Sequence, residues 1–188
     1  YAKMTGKPGI CFVTRGPGAT NASIGVHVAK QDSVPMILFV GQVSVNSTHR
    51  EAFQEIDISA MFKPLAKWAV QIDQAERLPE LLARAFKVAT SGRPGPVIIS
   101  IPEDVQHEMI TASASVINVP IVPSPAPSQI VQLGTLISKA KQPVILLGSS
   151  TWTAEACEQV AGFAKRHDIP VIASFRCQDR INNEHPNY

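Results

Sequence analysis

The residues here most able to do chemistry are Gly16-Pro17-Gly18-Ala19-Thr20-Asn21, which directly follow the apolar run Ile10-Cys11-Phe12-Val13-Thr14-Arg15. A strand that ends in a Gly/Pro turn and hands over to a helix sets backbone N–H groups, and a helix's positive end, at one point. That point is a sheet's carboxyl edge, where ligands of open α/β sheets sit. The run begins like the GxGxxG of dinucleotide sites, yet Asn21 stands where the third glycine belongs. No acidic residue about 20 positions further on is placed to hold a ribose. The dinucleotide reading fails on both counts. A tight turn with Thr20 or Asn21 capping the helix, and a turn facing some other ligand, both stay open.

Other polar groups are weighed the same way. Glu51, Glu55 and Asp57 could serve as acid/base carboxylates, but no paired partner can be placed for them, and the surface of a helix suits them better. The loop from Ser44 to Glu51 is too polar for a core and too long for a minimal connection, which suits the wall of a site. Arg93, in the rigid turn Gly92-Arg93-Pro94-Gly95-Pro96, is either a solvated charge or an anion contact. His27, His49, His107, His167 and His185 are scattered, and no spacing of His and Cys predicts a metal site. Trp68 and Trp152 read as packing residues.

The elements that must position these groups repeat. Five short β-branched runs are each entered through a proline: Pro8 to Val13, Pro35 to Gly41, Pro96 to Ile101, Pro143 to Gly148 and Pro170 to Ser174. Continuous apolarity means burial on both faces, the mark of a parallel strand, and proline is tolerated at a strand's first residue. Cys11 is expected inside such a buried strand. Helices are expected over 22–30, 75–90 (ended by Gly92), 130–140 and 153–166, the last with Thr153 as N-cap and Glu155 in its first turn. Alternation of the two predicts an α/β fold, a parallel sheet with helices on both faces.

Four prolines among residues 120–127 interrupt the pattern and predict an extended linker, placed at 116–128. It separates a domain at 1–115 from a second α/β domain at 129–188, of which two strands and two helices make only the first half. Tyr1-Ala2-Lys3-Met4-Thr5-Gly6 reads as a last helical turn closed by glycine, and the chain stops in a loop, so a fragment is expected.

Bulk properties narrow the function. With a net charge of +2 and no basic run, nucleic acid is a poor partner. Apolar runs stop at about six residues, far short of the roughly 20 that span a bilayer. Three cysteines without a CxxC predict reduced thiols, which suits a cytoplasmic setting.

In order and spacing, GPGATN, DSVPMILFVGQV, EAFQEID and SGRPGPVIISIPEDV together resemble the thiamine-diphosphate enzymes of the acetohydroxyacid synthase (acetolactate synthase) type. The resemblance runs from Tyr1 to about Val105 and continues more weakly beyond. It implies the later part of a pyrimidine-binding domain, then the start of a central domain. The activating glutamate would lie shortly before Tyr1, and the diphosphate- and Mg2+-binding domain would lie outside the chain. By the resemblance, Pro17, Gly18 and Asn21 line the pyrimidine pocket, usually across a dimer interface. Gln54 is a catalytic residue near the thiazolium and substrate, and Lys67 and Arg93 approach FAD in flavin-containing members. The implied activity is that of a lyase or transferase. It breaks the bond beside the 2-oxo group of a small acid and hands the fragment to a carbonyl acceptor, in a homodimer or homotetramer. Simple decarboxylation, and a non-catalytic dimerising α/β module, are the alternatives.

The chain also departs from the biosynthetic synthases. They carry Pro-Lys-Asp where it has Pro102-Glu103-Asp104, and a proline and arginines where it has Ser44, Val45 and Asn46. The glutamate is expected to reverse the charge beside the substrate channel.

Overall fold

A computed structural model describes residues 1–111, 123–149 and 151–188. The chain divides into two compact units, Tyr1–Val122 and Pro123–Tyr188. Most of the expected linker lies outside the described residues. Residues 123–126 have no regular structure, and Pro127 opens a helix, where its missing N–H is no loss.

In the first unit, α1 (Ala2–Thr5) ends on Gly6 in the left-handed conformation, as the sequence predicts. It leads to β1 (Gly9–Thr14), α2 (Arg15–Gln31), β2 (Met36–Gln42), α3 (Ile58–Phe62), β3 (Trp68–Gln71), α4 (Leu78–Thr90) and β4 (Pro96–Pro102). The strands form one parallel sheet in the order β1-β2-β4-β3. Because side chains alternate along a strand, β2 and β4 serve two cores at once. Leu38, Val40 and Ile98 meet Ala19 and Val26 of α2 and Ile58 and Phe62 of α3 on one face. Ile37, Val97 and Ile99 meet Leu81, Ala85 and Ala89 of α4 on the other. The chain steps backwards across the sheet between β3 and β4, so a constant crossover hand puts α4 on the face opposite α2 and α3.

Two expectations fail at the sheet's sides. Cys11 is exposed, because among the described residues β1 pairs with β2 alone and its flank is uncovered; Phe12 is 74% accessible. Strand β3 went unpredicted: its four residues, Trp-Ala-Val-Gln, are too short and mixed to form an apolar run and no proline announces them. Trp68 packs against the α4-side core, with the Arg84 guanidinium 4.5 Å above its ring.

The second unit contains α5 (Pro127–Lys139), β5 (Ile145–Leu147), α6 (Ala154–His167) and β6 (Val171–Ala173), with β5 and β6 parallel. The Thr153 hydroxyl caps α6 by accepting from the Ala156 N–H at 3.1 Å, as the sequence predicts. Leu147, Ala164, Val171 and Ile181 form its small core, with Trp152 packed against it. No residue of α5 is buried.

Candidate functional site at the sheet's carboxyl edge

The Gly/Pro run is helix rather than turn. Strand β1 passes straight into α2 at Arg15, whose φ of 41° makes the elbow. Proline is tolerated at Pro17 because the first-turn N–H groups of a helix lack intrahelical acceptors. Thr20 is not a cap: its hydroxyl donates back to the Gly16 carbonyl at 2.8 Å. Each glycine has a steric reason. A Cβ on Gly16 would stand 2.9 Å from the Gln54 carbonyl oxygen, and one on Gly18 would stand 3.0 Å from Val13 Cβ.

Segments far apart in sequence meet at this elbow. The Gly16 N–H donates to the Gln54 carbonyl at 3.0 Å. Arg15 donates from Nη1 to the Phe53 carbonyl at 3.2 Å and from Nη2 to the Glu103 carboxylate at 2.7 Å. Buried Gln42, at the end of β2, donates to the Ile56 carbonyl at 2.8 Å and accepts from the Val43 N–H at 2.9 Å. Asp104 accepts from the Val45 N–H through both oxygens, at 3.1 and 3.0 Å. The motifs that carry the resemblance are therefore one interlocked structure. Glu103 does not reverse a free charge here, since Arg15 neutralises it.

The acidic residues do not decorate a helix as expected; 44–57 is a shaped loop. Glu55 accepts from the His49 and Ala52 N–H groups, at 2.6 and 3.1 Å. These bonds, the His49 amide's first, hold its carboxyl below the usual glutamate value against the opposing effect of desolvation. Asp57 caps α3 through the Ala60 N–H at 2.8 Å. His49, Glu51 and Gln54 all adopt positive φ, at 65°, 53° and 64°. Left-handed backbone costs a non-glycine residue about 1–2 kcal/mol, and such residues cluster at functional sites. This strain, and the guanidinium of Arg15, are features that sequence reading missed.

Of the predicted residues, Gly18 and Gln54 are brought to the elbow. Pro17 and Asn21 lie one helical turn apart on the exposed side of α2, in line with Ile24 and Val28. Lys67 and Arg93 are elsewhere. They precede β3 and β4, at the sheet's amino edge, where Lys67 Nζ donates to the Val88 and Ser91 carbonyls. Arg93 donates to Ser33 Oγ at 2.6 Å and to the Gln31 carbonyl at 3.4 Å. A cavity of about 420 Å3 at the carboxyl edge is lined by Phe12, Phe39, Ile101, Arg15, Gln42 and Glu103 among others, with the two phenylalanine rings stacked at 4.7 Å.

Comparison with known proteins places this architecture. The profile of the thiamine pyrophosphate enzyme N-terminal TPP binding domain matches residues 1–61, and that of the thiamine pyrophosphate enzyme central domain matches residues 130–188. The chain belongs to the thiamine pyrophosphate enzymes. It is 38% identical to an acetolactate synthase of Arthrospira platensis over 99% of its length and 33% of the relative's. It is 38% identical to the acetolactate synthase large subunit of Corynebacterium glutamicum, over 98% of the chain and 30% of the relative. An X-ray structure of a Mycobacterium smegmatis protein assigned to the thiamin diphosphate-dependent enzymes superposes with a TM-score of 0.90 at 28% identity, covering all of this chain and 36% of that one. The chain thus spans about a third of the length of these relatives.

The family's cofactor can be tested against the elbow. Of the first three helical positions, Pro17 has no N–H and the Gly16 N–H already serves Gln54, so few donors remain for phosphate oxygens. The open face carrying Pro17 and Asn21 instead offers apolar surface and one carboxamide. The residues fit the uncharged pyrimidine end of thiamine diphosphate and not its diphosphate. Among the described residues no group of three His, Cys, Asp or Glu is arranged to hold a metal ion. No helix among them is long and apolar enough to cross a membrane.

Proposed function

We propose that the protein carrying this chain is a thiamine-diphosphate-dependent, acetolactate synthase-like lyase or transferase acting on a 2-oxo acid. The observation that carries this reading is the union of the GPGATN elbow with the FQE loop through the 3.0 Å bond from Gly16 to Gln54. In it, residues 1–115 are the later part of the pyrimidine-binding domain, 116–128 the linker and 129–188 the first half of the central domain. Pro17, Gly18 and Asn21 line the pyrimidine, on a face open enough to be completed by a second subunit of a homodimer or homotetramer. Gln54 faces the substrate. Mg2+ is held by residues outside this chain, and the setting is cytoplasmic. When bound, thiamine diphosphate supplies the electron sink for breaking the bond beside the 2-oxo group, while the protein orients substrate and excludes water.

For the full-length protein, thiamine diphosphate with Mg2+ should raise the melting temperature by several degrees, as ligation of the native state requires. No shift at millimolar cofactor would end the proposal. Gln54→Ala should lower turnover on pyruvate more than it weakens cofactor binding, and unchanged values of both would remove Gln54 from the site. FAD at Lys67 and Arg93 is supported by the resemblance alone. A flavin band in the visible spectrum of the intact protein, lost in Arg93→Met, is the expected sign.

A further inference from the structure

The loop that carries Gln54 is shaped by local hydrogen bonds and not by regular structure. It contains no regular element between the 3-10 turn Val45–Ser47 and α3, and Phe53 is 76% exposed. Three of its residues adopt the left-handed conformation. That geometry is held both from inside the loop and from outside it. Glu55 braces it internally, Gln42 reaches it at Ile56, and Asp104 reaches it at Val45. Among the described residues, the hydrogen bonds that join it to the elbow are the Gly16 bond and one from a side chain, that of Arg15.

We propose that Arg15 is the positioning residue of this site, clamping the Gln54 loop and the end of β4 to the β1–α2 elbow by bridging the Phe53 carbonyl and the Glu103 carboxylate. The inference rests on the reading that Gln54 works at the site. Arginine's planar fork can serve two acceptors at once from a side chain only 25% exposed, whereas a lysine amine is a point charge that cannot match both directions. An ordinary surface ion pair contributes little, but this one joins three segments, so its loss releases the loop rather than a single contact. Arg15 itself sits at positive φ, where its side chain is launched from the end of β1 toward both partners. One anchor is the half-exposed Glu103 carboxylate and the other is the Phe53 backbone carbonyl.

The test uses the full-length holoprotein with Arg15→Met, Arg15→Lys and Glu103→Gln, read by amide hydrogen exchange and by kinetics with pyruvate as probe. Arg15→Met should speed exchange across residues 48–55 by about tenfold, the factor expected for a lost charge-assisted hydrogen bond, while β2 and β4 stay protected. Its kcat should fall, with thiamine diphosphate affinity held within about threefold. Arg15→Lys should recover only part of the loop protection, and Glu103→Gln should lose about threefold, since its amide oxygen still accepts. Unchanged loop exchange in Arg15→Met overturns the proposal. So does acceleration that is equal in the loop and in the core strands, which would mean a general role in the fold. If Arg15→Met does not fold, loop-confined acceleration in Glu103→Gln supports the clamp and its absence overturns it. Failure to bind thiamine diphosphate would remove the proposed function, yet the exchange comparison would still decide the clamp.

Discussion

The two edges of the four-stranded sheet use the same residue types for different ends. At the amino edge, Lys67 and Arg93 donate to carbonyls at the C-terminal ends of α4 and α2. Those carbonyls lack intrahelical partners and carry the negative end of the helix dipole, so folding alone accounts for both cations. At the carboxyl edge, Arg15 ties a strand end, a strained loop and a second strand end together. Beside it, Pro17, Asn21, Ile24 and Phe53 remain exposed. At the amino edge Ser33 is the one left-handed non-glycine residue of this unit among those described, whereas Arg15, His49, Glu51 and Gln54 gather at the carboxyl edge beside open apolar surface. That asymmetry is the physical content of the site.

The largest expected effect contrasts two glycines. In Gly16→Ala the new methyl meets the Gln54 backbone oxygen at 2.9 Å and Ile56 Cγ2 at 3.2 Å. Neither is the free end of a flexible side chain, so the loop must move off the elbow at a cost of about 1–3 kcal/mol. Urea unfolding should show that loss together with weakened thiamine diphosphate binding. Gly92→Ala, at the amino edge, meets nothing within 4 Å but keeps a φ of 60°. It should cost about 1 kcal/mol from backbone strain and leave cofactor binding alone. A neutral Gly16→Ala, or a Gly92→Ala that weakens cofactor binding, would break the distinction between the edges.

What the sequence made legible follows from where burial was complete. Strands β2 and β4 lie between two helical layers, so their uninterrupted apolar runs read correctly, and the helices on both faces follow from them. The reading of β1 went wrong for an instructive reason. Its sequence has the composition of a doubly buried strand, but in this chain Ile10, Cys11 and Phe12 are uncovered, so Cys11 is exposed. Composition alone does not say whether a neighbouring layer covers a strand. The elbow was legible as the handover from a strand to a helix, but not as part of the helix itself. A Gly-Pro-Gly run looks like a turn unless the close approaches to Val13 and Gln54 are known. The bonds from Arg15 to Phe53 and Glu103 span 38 and 88 positions and leave no local pattern. Glu55 and Asp57 read from sequence as surface charges of a helix, and only the loop's path shows that they hold backbone amides instead.

A smaller effect tests the amino edge directly. Lys67→Met keeps the aliphatic stem against Gly95 and removes the amine from the Val88 and Ser91 carbonyls. Loss of about 1 kcal/mol is expected, the scale of a hydrogen bond to a charged group that remains partly solvated. Thiamine diphosphate affinity should not change, because the cap lies at the opposite edge from Gly16 and Gln54. A Lys67→Met protein that is equally stable but binds cofactor poorly would reverse the assignment of the two edges.

The smallest effect separates the edges by pH. Glu55 is held below the ordinary glutamate value, principally by the His49 N–H, so its folded form binds a proton less readily than its unfolded form. Its contribution is present above the unfolded value and is lost as pH falls through the folded one, an acid-side weakening confined to the loop. Lys67 is also lowered, but by desolvation. For a base this means the unfolded chain holds the proton more tightly, so stability rises with pH between the folded value and the ordinary lysine value. Both slopes are positive, in windows far apart. Glu55→Gln should therefore flatten the acid dependence of amide exchange in residues 48–55 and leave the alkaline limb of global stability untouched. Lys67→Met should do the converse. If either substitution altered both limbs, the two edges would be energetically coupled through β2 and β4, and the loop's strain would have to be counted as part of the fold's own stability.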